Sequence, residues 1–183
     1  MPPPHPQSAK LPLDIAWMMA ADREIQAEID KGLVTLVQTP PEDVCRCVAR
    51  ILCSVLVSSW SQHVEFQDEA LFPIIVRSDA TTLDMRSLLN RLAREHSEIS
   101  EHQRDVSQLL HDVVAGRAAM EGAVTLGVSH VIQLRSEHQK AEAALDRLIP
   151  GMLAPEEREA LERWAESRGA LFLPLHPFRD CCR

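Results

Sequence analysis

The chain has 183 residues, enough for one domain with its own core, and its 45% apolar and 25% charged residues are ordinary for a globular protein. Aromatic residues make up only 4% and tyrosine is absent, so the aromatic and β-branched runs that strands need are scarce and tyrosyl-radical chemistry is excluded. The net charge of −8, with no basic run, argues against nucleic acid, and no apolar run approaches the ~20 residues that span a bilayer.

In chain order, residues 1–12 carry Pro2, Pro3, Pro4, Pro6 and Pro12 and read as a disordered arm. They lack a basic stretch followed by an apolar one, so no secretion signal is expected and a cytoplasmic protein is. A first helix is predicted over residues 14–37, with Ile15, Met18, Asp22, Ile25, Ile29, Leu33 and Leu36 at 3.6-residue spacing. A second is predicted from Pro41 to residue 76, opened by the acidic turn Glu42–Asp43. Its stripe is Val48, Leu52, Leu56, Ser59, His63, Phe66, Ala70 and Ile74, and Pro73 is expected to kink or shorten its end. Residues 78–82 read as a turn rich in capping residues. A third helix then runs to 115, with Met85, Leu88, Leu92, His96, Ile99, Val106, Leu110 and Val113 inward and Gly116 as its cap. A fourth spans 118–149, with Val124, Val128, Val131, Leu134, His138, Ala141, Glu142, Leu145 and Leu148 on its stripe. A fifth, 155–168, carries Leu161 and Trp164, and residues 169–183 read as a tail.

Four long helices with short connections predict an all-α fold, an up-down-up-down four-helix bundle over residues 13–150, with an additional C-terminal helix and tail over 151–183. The cysteines Cys45, Cys47, Cys53, Cys181 and Cys182 are odd in number and are expected to be free thiols.

Each long helix carries a polar residue on its apolar stripe: Asp22, His63, His96 and His138. In an up-down bundle, at 1.5 Å per residue, the four fall within roughly 10 Å of one another along the axis. One buried polar residue is commonly just a satisfied core group. Four at one level are harder to explain without a shared partner such as a metal ion. His138 and Glu142, at i and i+4, point from one face and can chelate one ion or bridge two, although such a pair alone is a weak signal. A ferritin-type reading fails, because it needs glutamate three residues before histidine, and Trp60, Ala93 and Arg135 stand there. His102, His111 and His130 lie off the face or the level, and His5 and His176 lie in the terminal segments.

The local words resemble the hemerythrin-like (HHE cation-binding) domain family. Met18-Met19-Ala20-Ala21-Asp22-Arg23-Glu24-Ile25 resembles its first helix, and HVEFQDEALFP from His63 to Pro73 its second. Arg94-Glu95-His96-Ser97-Glu98-Ile99 resembles the third, and Glu137-His138 through Glu142, followed by Leu148-Ile149-Pro150, the fourth. The resemblance covers residues 13–150 and implies a bundle that holds two non-haem irons between histidines and bridging carboxylates. Its members bind dioxygen or nitric oxide, sense oxygen or iron, or deliver iron. His63, His96, His138 and Glu142 match the family pattern. Asp22 stands where the family has histidine, Gln67 stands where it has a glutamate, and Ser100 takes the place of a second histidine found in some members.

Two readings of the site stay open. In the first, Asp22 and Glu142 are the two carboxylates of a rearranged di-iron site. In the second, the neutral Gln67 marks a degenerate site that holds one metal or none. The expected function is accordingly a non-haem iron protein for dioxygen, nitric oxide or iron. Redox catalysis ranks lower, because no acid/base pair stands apart from the ligands. A metal-free helical interaction protein is the alternative from a different class. No protein partner is indicated.

Overall fold

The computed structural model describes residues 15–38, 46–117 and 122–168, all of them helical or in short turns between helices. Helix α1 is Ile15–Gln38 and α2 is Arg46–Glu65. A π-helical segment, Phe66–Leu71, continues α2 into α3, Phe72–Arg77. Then come α4, Leu83–Val114, α5, Ala123–Asp146, the single turn α6, Ile149–Met152, and α7, Pro155–Ser167. Among the described residues no helix is long and apolar enough to cross a membrane.

The four long helices pack in a closed ring, α1 on α2, α2 on α4, α4 on α5 and α5 back on α1. Their amphipathic stripes explain this, since each must bury one face against two neighbours. Every expected stripe residue of α1 is buried, as is every one from Val48 to Ile74. In α4, Leu89 is buried and Leu88 only half-buried. In α5, the expected Leu134 is half-buried and its neighbour Arg135 is fully buried, while Leu148 is 49% exposed because the helix ends at Asp146. Gly127 brings α5 close to α4, where a Cβ would lie 3.3 Å from the Val106 side chain.

The ends follow capping chemistry. The Thr82 hydroxyl accepts from the Met85 N–H at the start of α4. Gly116, at φ 71°, takes the left-handed conformation just past its end. Pro73 does not shorten the second helix. Proline has no N–H to offer the carbonyl four residues back, and its ring crowds that carbonyl. The chain answers by widening to π-helix just before it, with the Phe72 N–H reaching Gln67 O, and then continues. Helix α7 covers that widened segment, with Trp164 against Phe66 and Arg168 paired with Glu65 and Glu69.

The expected arm 1–12, the tail 169–183 and the acidic turn 41–43 lie outside the described residues, as do Cys45, Cys181 and Cys182. Cys53 is a free thiol, as expected. Cys47 is disulfide-bonded to a partner outside the described residues, which corrects the expectation of a free thiol there.

Candidate metal centre

His63 from α2, His96 from α4 and His138 from α5 meet at the centre of the ring of helices. They are 1%, 1% and 0% exposed, and one ring nitrogen of each lies within 4.8 Å of the other two. Each Nδ1 is held from behind by a carboxylate. Asp22 Oδ2 of α1 stands 2.7 Å from His63 Nδ1, Asp68 Oδ1 of the π-helical segment 2.9 Å from His96 Nδ1, and Glu95 Oε2 of α4 3.1 Å from His138 Nδ1. An ionised carboxylate only accepts, so each Nδ1 carries a proton; Nε2 then presents a lone pair wherever the ring is neutral, as at His96 and His138, and on His63 once its second proton leaves. All three Nε2 atoms are buried and lack a hydrogen-bond partner. Three unpartnered ring nitrogens in one buried cluster, each ring backed by a carboxylate, is an arrangement that suits histidines binding a metal.

Glu142 completes the set. Its Oε1 is 3.5 Å from His63 Nε2 and its Oε2 3.6 Å from His138 Nε2, near enough for charge interaction but not placed as hydrogen bonds. The Gln67 amide donates to Glu142 Oε1, which orients the carboxylate, while Gln67 Oε1 is itself buried without a partner. The widened turn lets Gln67 and Asp68, four and five residues after His63, both serve the centre.

Trp60 forms the floor. It stacks on His63 at 4.8 Å between ring centroids and meets His96 and His138 edge-on at 5.8 and 5.3 Å. Its indole N–H donates to Ser100 Oγ at 3.1 Å. Phe72 stacks parallel to His96 at 5.8 Å. Beneath Trp60 lies Arg135, 1% exposed, with its guanidinium 5.3 Å from the indole centroid. It is satisfied by Asp30, by Gln26 O at 3.1 Å and by Gln26 Oε1 at 3.0 Å.

The charges respond to this crowding. Burial works against a charged His63, but the Asp22 and Glu142 carboxylates outweigh it and push its pKa up to about 9. His138 is pushed down to about 2, chiefly by burial and then by His96 and His63. His96 is lowered by burial, against the pull of Asp68. Burial raises Glu142, opposed by His63. Asp22 is held below its ordinary value because contact with His63 outweighs its burial. The centre therefore accommodates a single positive charge, which a proton on His63 provides when nothing else does.

The structure brings all six sequence-predicted residues together in different roles. His63, His96, His138 and Glu142 face the centre. Asp22 stands behind His63, with Oδ2 on Nδ1 and Oδ1 accepting from Gln26 at 3.3 Å, so neither oxygen bridges toward Glu142. Gln67 contacts Glu142 as a donor. Asp68, Glu95 and Arg135 escape the sequence reading. Glu95 had a signal, lying directly before His96, but its target is the histidine of the neighbouring helix. Asp68 is brought round only by the π-helical turn. Phe66, on the expected stripe of the second helix, packs on Trp164 of α7. His102 and His130 form an edge-on pair between α4 and α5, at 4.6 Å, outside the cluster. His5 and His176 lie outside the described residues.

A scan against protein-family models and searches of curated proteins and of solved structures return no match to this chain.

Proposed function

We propose that the protein binds one transition-metal ion at His63, His96, His138 and Glu142, inside an up-down-up-down four-helix bundle braced by the C-terminal helix. The observation that carries this reading is the convergence of three buried Nε2 atoms without partners, each backed by a carboxylate on Nδ1. Three imidazoles and a carboxylate suit iron and zinc alike, and the hemerythrin-like sequence words favour non-haem iron.

The positions of Asp22 and Gln67 favour one ion over two. A dinuclear site needs carboxylates between the ions, and among the described residues only Glu142 faces the Nε2 atoms. On iron, which takes more than four ligands, four protein donors leave a coordination position open, in a pocket walled by Trp60 and Phe72. Such a position suits a small ligand such as dioxygen or nitric oxide, or the sensing or handling of iron itself. Catalysis ranks below binding, because no proton-transfer group stands apart from the candidate ligands.

A metal-free bundle is the second reading. It is favoured by the stability of the His63 cation between Asp22 and Glu142, which already balances the centre. Metal content per chain, with an optical spectrum, after expression in iron-supplemented cells separates the readings. About one ion per folded chain supports the proposal. Two would restore the dinuclear reading, and none would leave a helical interaction protein.

A further inference from the structure

One cleft, of about 170 Å³, lies on the seam between α1 and α5 and is lined by Asp22, Arg23, Gln26, Gln139, Glu142 and Asp146 among others. Side-chain exposure falls inward along it. Arg23 is 55% exposed, Asp146 22%, Glu142 15%, Asp22 10% and the His63 ring 1%. The α5 contribution is a ladder. His138, Glu142 and Asp146 follow one another at i+4 spacing, so they share a face and lead step by step from the centre outward. At the outer end Arg23 of α1 pairs with Asp146 of α5 across the seam. The inner wall is Asp22 and Glu142, the two carboxylates that touch His63.

A second cleft, of about 250 Å³, lies on the opposite seam, between α2 and α4, and differs in both respects that matter. Its one charged lining residue is Arg104, and its inner wall includes the Trp60 indole, so no candidate ligand faces it. A cation meets three carboxylates and one guanidinium along the first path, and a lone guanidinium and an aromatic ring along the second. Clefts lined by one sign of charge concentrate ions of the opposite sign.

From this we infer that the α1–α5 cleft is the route by which a hydrated divalent metal cation reaches the centre, with Asp146 drawing the ion in and Arg23 holding the outer end closed through its pair with Asp146. The inference rests on the metal-binding reading above and adds two residues, neither a metal ligand, that set how fast the ion loads. The ion passes Asp146, exchanges water for Glu142 and then meets the histidine nitrogens, so each step offers an oxygen or nitrogen donor within one helical turn of the last.

The two halves of the Arg23–Asp146 pair then act in opposite directions, which a merely structural ion pair does not do. The test is stopped-flow loading of the metal-free full-length protein with Co²⁺, read by its visible absorption, beside equilibrium Co²⁺ binding. Asp146→Asn is expected to slow loading roughly tenfold at low salt, and Arg23→Gln to accelerate it several-fold. Equilibrium affinity should move less than the rate in both variants. Arg104→Gln, in the opposite cleft, should load at the wild-type rate. The differences should collapse near 1 M salt, where the Debye length is about 3 Å. If the wild-type protein takes up no Co²⁺ at equilibrium, the metal-binding reading falls and the route with it. If it binds Co²⁺ but both variants load at the wild-type rate, or both shift in the same direction, the route alone is overturned.

Discussion

The two ends of the helical core are built differently. One end is aliphatic: Ile25, Ile29, Leu33, Leu36, Val48, Leu52, Leu56, Leu110, Val124, Val128 and Val131 fill it from four uninterrupted helices. The other holds Met18, Phe66, Leu71, Phe72, Ile75, Leu92 and Leu161, and there short pieces, the π-helical segment, α3, α6 and α7, join the ends of α1, α4 and α5. The histidines, Trp60 and Arg135 lie between them. The aliphatic end needs only volume and periodicity. The irregular end must also aim carboxylates at ring nitrogens, and a straight α-helix cannot bring both Gln67 and Asp68 round to the centre. The regular end is thus built by periodic packing alone, whereas the irregular end combines packing with positioning.

The largest effect expected from that division is on stability. Leu52→Ala, in the aliphatic end, should cost about 2–5 kcal/mol of unfolding free energy in a denaturant titration, with metal stoichiometry unchanged in the folded fraction. A loss of metal from the folded fraction would mean that the two ends are not separable.

Next in size are the carboxylates behind the histidines. Asp68→Ala and Glu95→Ala should each lower metal affinity by roughly 10–100-fold in a competition titration. They leave the three Nε2 atoms in place but release the rings. Wild-type affinity in both variants would show that the carboxylates do not orient the site.

The pH dependence of the metal-free protein gives a subtler comparison. His63 is raised from 6.5 to about 9, so its contribution is fully present below 6.5 and is lost as pH rises through about 9. His96 and His138 are lowered, so they stay neutral in the folded protein while their unfolded counterparts take up protons below 6.5, and stability falls there. The melting temperature without metal should therefore peak near pH 6.5 and decline from there to about pH 9. Bound metal should remove the alkaline decline, because the ion replaces the proton. A metal-free profile that keeps rising through pH 9 would contradict the charge assignment at His63.

The smallest effect expected is at a helix end far from the centre. Thr82→Ala removes the acceptor for the Met85 N–H and should cost about 1 kcal/mol in thermal unfolding, with no change in metal affinity.

Much of the helical frame was legible because its signals are local. A 3.6-residue stripe marks the buried face of α1 without help from its neighbours, and Thr82 and Gly116 announce the two ends of α4 through capping chemistry. The histidines stood out for the same reason, each being a polar interruption of an apolar stripe. Pro73 predicts a kinked or shortened helix; the chain widens to π-helix just before it and runs on to Arg77, so the helix is not shortened. Leu134 and Arg135 misled in α5, because hydrophobicity ranks leucine inward, while Asp30 and Gln26 on α1 make burial of the guanidinium affordable.

The sequence by itself determined helix, core face and the four inward polar residues, since each depends on residues within one or two turns of one another. Only the tertiary structure decided which nitrogen of each histidine is free. That depends on Asp22, Asp68 and Glu95, each of which reaches a histidine on another element of the chain. The physical reason is range. Backbone periodicity acts over a few residues, whereas the direction of a lone pair is set by whichever acceptor the folded chain brings to the opposite side of the ring.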